Sequence, residues 1–347
     1  MSWIKSTCLV LLVTLVLLIL LELIFFYGFG YRTISTSATC SRKNSEKDYS
    51  YYQKNCVMVI KHWEQKEPIT YSINSSGRRD ALFEGKTGAK IIAFIGDSFT
   101  FGAMVPIERN YNYLAFYSLL GGRYEAHNYG VPGEEFLNII NKLNDIDFSS
   151  YEHIIYGLTP NDLFNLTDNS QFQDNLEVSE KLPKVPATSR YKKNSIINKA
   201  KNIVLSSATS RFLLHKLMTN DRFYLTLYQS RKPYSGYLYD NYSEEWRKAL
   251  SVFEQKITAL PSDIKKKLKV FILPQRAEVI LFRQGLYRGE FSSQIMSICT
   301  SIGIDCGFAN LSNLSQLDES HFPVDGHLTL EGNKSVAQDF SNWVNSW

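Results

Sequence analysis

The 347-residue chain lacks the signatures of several common enzyme classes. No Walker loop follows an apolar run, which excludes P-loop nucleotide chemistry. No Cys/His spacing suggests zinc, and neither a metal nor another cofactor is expected. An excess of one charge is also missing: 38 Lys and Arg against 34 Asp and Glu leave a net charge of +4. The basic residues are scattered apart from Lys265-Lys266-Lys267 beside Lys269. That run reads as a solvated helix end, so nucleic acid is not an expected partner. There is no long low-complexity tract and no internal repeat. Cysteine is scarce, with 5 in the chain.

Long apolar runs are present, and the first is at the N-terminus. From Cys8 to Leu21 every residue except Thr14 is apolar, and Leu23–Tyr27 continue the run after Glu22. Such a run is long enough to cross a bilayer as a helix, and Phe25-Phe26-Tyr27 make an aromatic edge suited to its interface. Residues 8–27 therefore read as an uncleaved single-span anchor, a cleaved signal being the competing reading. Cys8 lies in this span; Cys40, Cys56, Cys299 and Cys306 lie beyond it in two sequence-local pairs. Local pairs are what small staples in an oxidising compartment look like, four unrelated thiols being the alternative. The expected location is the cell membrane, with the main domain on the extracytoplasmic side.

Past the anchor, residues 28–88 read as an irregular, tyrosine-rich lead-in, and 89–347 as one α/β domain. Strands are expected at Ile91–Ile95, Tyr124–Tyr129, His153–Leu158, Val270–Leu273 and Ile304–Phe308. Helical spacing falls between them at 113–120, 134–143, 244–257 and 291–302, and a closing helix at 330–347. An irregular stretch at about 167–240 breaks the alternation and reads as an insertion covering a site. Strands alternating with helices predict a parallel sheet covered on both faces. Ligands bind such sheets at the carboxyl ends of the strands.

At that rim, the apolar run Ile91–Ile95 stops at Gly96-Asp97-Ser98. A serine there is either a helix cap or a nucleophile with a base in reach. The segment lacks the second glycine of a Gly-x-Ser-x-Gly elbow, which argues against the α/β-hydrolase fold. Three further polar segments follow strands: Gly130-Val131-Pro132-Gly133, then Asn161-Asp162, then Asp325-Gly326-His327. Ser, Gly, Asn and His in this order resemble the four blocks of the SGNH/GDSL hydrolases. The resemblance runs from about Asn74 to the C-terminus and includes an upstream Asn-x-x-Gly-x-Arg segment, Asn74 to Arg79. It implies a three-layer αβα, flavodoxin-like SGNH fold with a central parallel sheet of about five strands, preceded by one transmembrane helix. It also implies roles for single residues. Ser98 would be the nucleophile, His327 the base and Asp325 its orienting carboxylate. The Ser98 N–H, the Gly133 N–H and the Asn161 amide would form the oxyanion hole.

The chain departs from the pattern in places. Thr159-Pro160 precede Asn161 where the family has Gly-x, and Asp325 stands two residues before His327 rather than three. His321, three after Asp318, competes for the base; His327 is preferred because His327–Gly332 continue as the family does. Gly130 competes with Gly133 and is assigned to the turn. Asp97 and Asp162 are expected to hold loops through backbone N–H groups, and His153 to be structural. Arg276 reads as either a contact for an anionic or sugar substrate or a salt bridge. The function implied is removal of acyl groups, acetyl foremost, from a cell-envelope carbohydrate. The alternatives are an O-acyltransferase with the same triad and a sugar hydroxyl as acceptor, and a non-catalytic scaffold in envelope polysaccharide assembly.

Overall fold

The computed structural model describes residues 2–28, 34–35, 40–65, 67–80, 90–121, 124–167, 207–229, 236–239 and 244–347. Ser2–Leu23 form an α-helix that passes into a π-helical turn at Ile24–Gly28. Its Leu9–Gly28 stretch is long and apolar enough to cross a membrane. The end of this helix is docked. Glu22 accepts hydrogen bonds from the Ser207 hydroxyl at 2.8 Å and from the N–H groups of Ala208 and Thr209. Those donors are the open N-terminus of the helix Ala208–Met218, where a carboxylate is favoured. Phe25 stacks on Phe212 beside them, with centroids 4.3 Å apart.

The lead-in, expected to be irregular, holds five strands among its described residues: β1 (Ile34–Ser35), β2 (Ser41–Asn44), β3 (Tyr49–Tyr52), β4 (Val57–Lys61) and β5 (Ile69–Ser72). They form an antiparallel sheet in the order β1-β4-β5 and a β2-β3 hairpin. In β5, Ile69 and Tyr71 are buried while Thr70 and Ser72 are exposed, the period of a half-buried strand. Cys40 and Cys56 form one disulfide, and Cys299 and Cys306 a second. Both are the local pairs read from the sequence.

The central sheet is built from β6 (Lys90–Gly96), β7 (Tyr124–Asn128), β8 (His153–Leu158), β9 (Leu268–Ile272) and β10 (Asp305–Phe308). All neighbours are parallel, in the order β10-β9-β8-β6-β7. Numbered along the chain this is the flavodoxin-type order, which reverses direction beside its first strand and opens a crevice there. Register shows the layers. Phe94 pairs with Ile155, and Ile95 with Tyr156, so Phe94 and Tyr156 face opposite sides. Phe94 meets Phe340 of the closing helix Leu330–Val344, with centroids 5.6 Å apart. Tyr156 meets Phe136 of the helix Phe136–Asp145, at 6.4 Å. Phe136 in turn packs on Phe253 of the helix Glu244–Thr258. Helices thus cover both faces, giving the three-layer αβα fold.

Part of the insertion, 168–206, lies outside the described residues. Its described part holds the helices Ala208–Met218 and Asp221–Gln229. Gly130 fixes the rim of the sheet by close approach. A Cβ on it would stand 2.4 Å from the Phe101 nitrogen and 2.8 Å from the Thr100 carbonyl carbon. Backbone cannot step aside as a flexible side chain can. Gly130→Ala should therefore lower stability by about 2–3 kcal/mol, read as a fall in the thermal midpoint.

Candidate active site

β6 ends at Gly96, and the chain turns at once into the short helix Ser98–Phe101. Asp97 caps it, accepting the Phe99 N–H at 2.9 Å. Phe99, Thr100 and Phe101 are buried, so this turn is anchored in the core with Ser98 at its outer edge. Its far end is pinned from the lead-in. The buried Arg79 donates to the carbonyls of Phe101, Gly102 and Val105 at 2.6–2.8 Å and lies over the ring of Tyr71. Asn74, at the head of the same segment, accepts the N–H groups of Ser76 and Arg78 and so shapes the turn that delivers Arg79.

His327 Nε2 lies 2.6 Å from Ser98 Oγ. Its Nδ1 bonds Asp325 Oδ1, which also accepts the His327 N–H at 3.3 Å. A carboxylate only accepts, so Nδ1 carries the ring proton and Nε2 faces the serine with a lone pair. The two-residue spacing works because Gly326 between them takes φ +88°, a conformation that suits glycine. Burial alone would lower the His327 pKa, but the bond and charge of Asp325 outweigh it and hold it above the ordinary value. Burial likewise tends to raise Asp325, yet His327 holds its carboxyl below the usual range.

His321 is placed elsewhere. It is buried, donates from Nε2 to the Pro274 carbonyl at 3.2 Å, and accepts from the Ser320 hydroxyl at 2.9 Å. Burial drives its pKa down to about 3, leaving a neutral ring with both nitrogens occupied.

The β7 chain continues beside β6, with the Val131 N–H donating to the Gly96 carbonyl at 3.0 Å. This carries the turn Val131–Glu134 to the serine. The turn is closed by Glu134 N–H to Val131 carbonyl at 3.2 Å. Proline second and a glycine of φ +80° third are its type II pattern. Nothing stands within 4 Å of where a Gly133 Cβ would be. From the end of β8, Asn161 donates one amide hydrogen to Asp97 Oδ2 at 2.9 Å. Its Oδ1 accepts from Gln275 Nε2 at 2.7 Å, and Gln275 Oε1 accepts from the Tyr228 hydroxyl. This chain fixes which way the amide points and leaves its second hydrogen for a ligand.

The Thr159-Pro160 departure is absorbed locally. Thr159 turns its hydroxyl onto Asp97 at 3.3 Å, and Pro160 opens the 3-10 segment Pro160–Thr167, a start that needs no N–H. Asp162 accepts the Thr159 N–H and the Tyr156 hydroxyl. Burial, with Asp97 nearby, pushes its carboxyl far above the ordinary range. Asp97 is itself raised by burial, against the pull of its Asn161 and Phe99 donors.

Arg276 takes the salt-bridge alternative, lying 3.9 Å from Asp221. It is buried, donates to the carbonyls of Pro323 and Met218 at 2.5 and 2.8 Å, and lies over the Tyr224 ring. It joins the insertion to the loop before His327. Two residues that sequence reading missed matter more. Gln275 orients Asn161, as above. Glu64, from the lead-in, accepts the N–H groups of Val324 and Asp325 at 2.9 and 2.8 Å. Its side chain is 1% exposed, and burial lifts its pKa to about 7. Neither has a local motif that would give it away. Glu64→Gln puts an NH₂ against one of those two donors. It should cost about 1–3 kcal/mol of stability and lower kcat, measured by thermal denaturation and ester hydrolysis side by side.

Among the described residues, no group of three or more His, Cys, Asp or Glu side chains could hold a metal ion. Ser98, His327, Asp325 and Asn161 meet at one rim, the arrangement that serine-based acyl transfer requires. The topology around them is the three-layer αβα, flavodoxin-type one that the resemblance to the SGNH/GDSL hydrolases implied. No protein-family model matches the chain, and no curated protein matches it as a relative. Solved structures similar to it include a member of the lipolytic G-D-S-L family from Veillonella parvula, at 15% identity. That alignment covers 72% of this chain and 96% of the other, with a TM-score of 0.36. An extracellular lipase from Streptomyces rimosus is 12% identical over 74% and 99%, with a TM-score of 0.40. The acetylxylan esterase Axe2 from Geobacillus stearothermophilus is 11% identical over 74% and 94%, with a TM-score of 0.38. At such identities and scores nothing about substrate carries across to this chain.

Proposed function

We propose that this protein is a membrane-anchored serine esterase of SGNH type that removes acyl groups from a cell-envelope carbohydrate through an acyl-enzyme on Ser98. The observation that carries the chemistry is the 2.6 Å approach of His327 Nε2 to Ser98 Oγ. Nε2 takes the hydroxyl proton as Oγ attacks the ester carbonyl carbon, and Asp325 steadies the imidazolium. The carbonyl oxygen gains charge facing the Ser98 N–H, the Gly133 N–H and the free Asn161 hydrogen, each such donor contributing about 3–4 kcal/mol. His327 then returns the proton to the departing alkoxide, and water repeats the sequence on the acyl-enzyme. The two disulfides and the apolar N-terminal helix support an oxidising, membrane-anchored setting. That setting supports a cell-envelope glycan as the acyl carrier, with acetyl the foremost acyl group.

A fluorophosphonate probe tests the site without a known substrate. The full chain should be labelled on Ser98, with labelling lost in His327→Ala and kept in His321→Ala. A folded wild-type protein that takes no label overturns the proposal. Labelling that survives in His327→Ala but not in His321→Ala would reassign the base.

A further inference from the structure

A groove of about 700 Å³ lies between the hairpin β2-β3, the end of β7 and the helix Phe136–Asp145. Ser98 is not among the residues that line it. Four tyrosines are: Tyr49, Tyr51 and Tyr52 of β3, and Tyr129 just after β7. The hairpin is held firmly against the helix. Glu134 accepts the Ser50 N–H at 2.8 Å and pairs with the buried Lys142, and the Tyr49 hydroxyl donates to Asp145 at 2.5 Å.

The charge of the groove has one sign. Arg42, Lys54 and Lys142 line it, and no Asp or Glu does. Lys142 is neutralised by Glu134, whereas Arg42 and Lys54 are exposed. The register pairs Arg42 with Tyr51 across the hairpin, which puts both side chains on one face. Gln53 Oε1 accepts from the Arg42 guanidinium at 2.9 Å and steadies it there. Tyr51 is 48% exposed, so a cation and an open ring stand side by side.

Tyr52 adds a second kind of signal. It is 6% exposed and stacks on Phe101, and its hydroxyl has no hydrogen-bond partner among the described residues. A buried hydroxyl left so is costly, and a ligand hydroxyl in the groove would answer it. A tyrosine offers an apolar ring with a polar tip. A sugar matches both, with a C–H face for the ring and hydroxyls for the tip. Guanidinium and ammonium groups favour a carboxylate.

We infer that this groove binds an acidic glycan, its sugar rings against the tyrosines and its uronate carboxylates on Arg42 and Lys54. The inference rests on the reading of a cell-envelope glycan as substrate and names the charge of that glycan. The volume suits about two or three sugar rings. The groove is thus a subsite for the polymer, separate from the triad that attacks the ester.

The test is calorimetric titration of the full chain in lipid nanodiscs with trigalacturonate, a hyaluronan tetrasaccharide, maltotriose and triglutamate. At least one acidic sugar should bind about tenfold tighter than either maltotriose or triglutamate. Arg42→Glu combined with Lys54→Glu should weaken that sugar by at least about tenfold. Tyr51→Ala should weaken it by about three- to tenfold. Tyr52→Phe removes the hydroxyl alone and should do the same with no fall in the thermal midpoint. Uptake of the fluorophosphonate reports that each variant is folded. A labelled wild-type protein that binds neither acidic sugar overturns the groove and leaves the esterase reading standing. So does binding that these variants leave unchanged, or that maltotriose or triglutamate matches. Acidic-sugar binding by a folded protein that takes no label overturns the esterase reading and leaves the groove.

Discussion

Ser98→Ala should lower ester hydrolysis by about 10⁴- to 10⁶-fold while leaving the fold intact. The size follows from what the hydroxyl does. In the proposed mechanism it forms the bond to the acyl carbon, and among the described residues no other side chain is hydrogen-bonded to His327 Nε2. The small effect on folding follows from its position. Ser98 is half-buried at the edge of a turn held by Phe99 and Phe101 beneath it and by Arg79 behind it. The hydroxyl fills no core space, so losing it opens no cavity. Parallel measurement of kcat/KM and of the thermal midpoint checks both halves. A variant that retains more than about a hundredth of the activity would rule out an acyl-enzyme on this serine.

Asp325→Asn should lower kcat by about 10⁴-fold, the size seen when a triad carboxylate becomes an amide. An asparagine NH₂ turned toward Nδ1 donates where the carboxylate accepted. The ring proton then moves to Nε2, the atom that must take the serine proton. The same substitution changes the pH profile. In the native protein Asp325 holds the His327 pKa above its ordinary value, against the downward push of burial. The imidazole must be neutral to act as base, so native kcat/KM falls as the pH drops through that raised pKa. Without the carboxylate, burial is opposed by the charge of Asp97 alone, and the acid limb should shift to lower pH while the plateau drops. A plateau loss with an unmoved limb would mean that a different group titrates there. Stability runs the other way. The Asp325 pair favours charged His327, so its contribution is full below the ordinary histidine pKa and fades as the pH rises through the raised one.

Much of this was legible because the chemistry sits on apolar strands with sharp ends. Ile91–Ile95 and His153–Leu158 are buried runs closed by Gly-Asp-Ser and Thr-Pro-Asn, and a run that stops abruptly marks both the strand and its rim. The preference for His327 over His321 rested on the residues after it, and Thr329 does cap the closing helix through the Gly332 N–H. What stayed hidden depends on partners far along the chain. Tyr49–Tyr52 and Ile69–Ser72 looked polar and irregular because their tyrosines are amphipathic, and they become strands only when paired and laid on Phe101 and Val131. Glu64 and Gln275 carry no motif; each matters through a hydrogen bond to a segment more than 100 residues away. Arg276 follows a strand at the functional rim, as a ligand-binding residue would, yet two backbone carbonyls had the stronger claim on it.

The contact of Glu22 and Phe25 with the helix Ala208–Met218 turns what would be a tether into a mount. A domain on a loose leash sweeps a hemisphere and meets esters at every height above a bilayer. In the proposed anchored setting, one bolted to the end of its own span would present Ser98 at a set altitude and bearing. The esters it would then reach are those held at that level above the membrane. The same bolt means that cutting the chain at Gly28 does more than make it soluble. It strips the cap from the helix Ala208–Met218, whose last turn holds Arg276, and the next helix supplies the Tyr228 hydroxyl that fixes Gln275 and Asn161. The N-terminal helix is thus joined, through Ala208–Met218 and the helix after it, to the residues that hold Asn161.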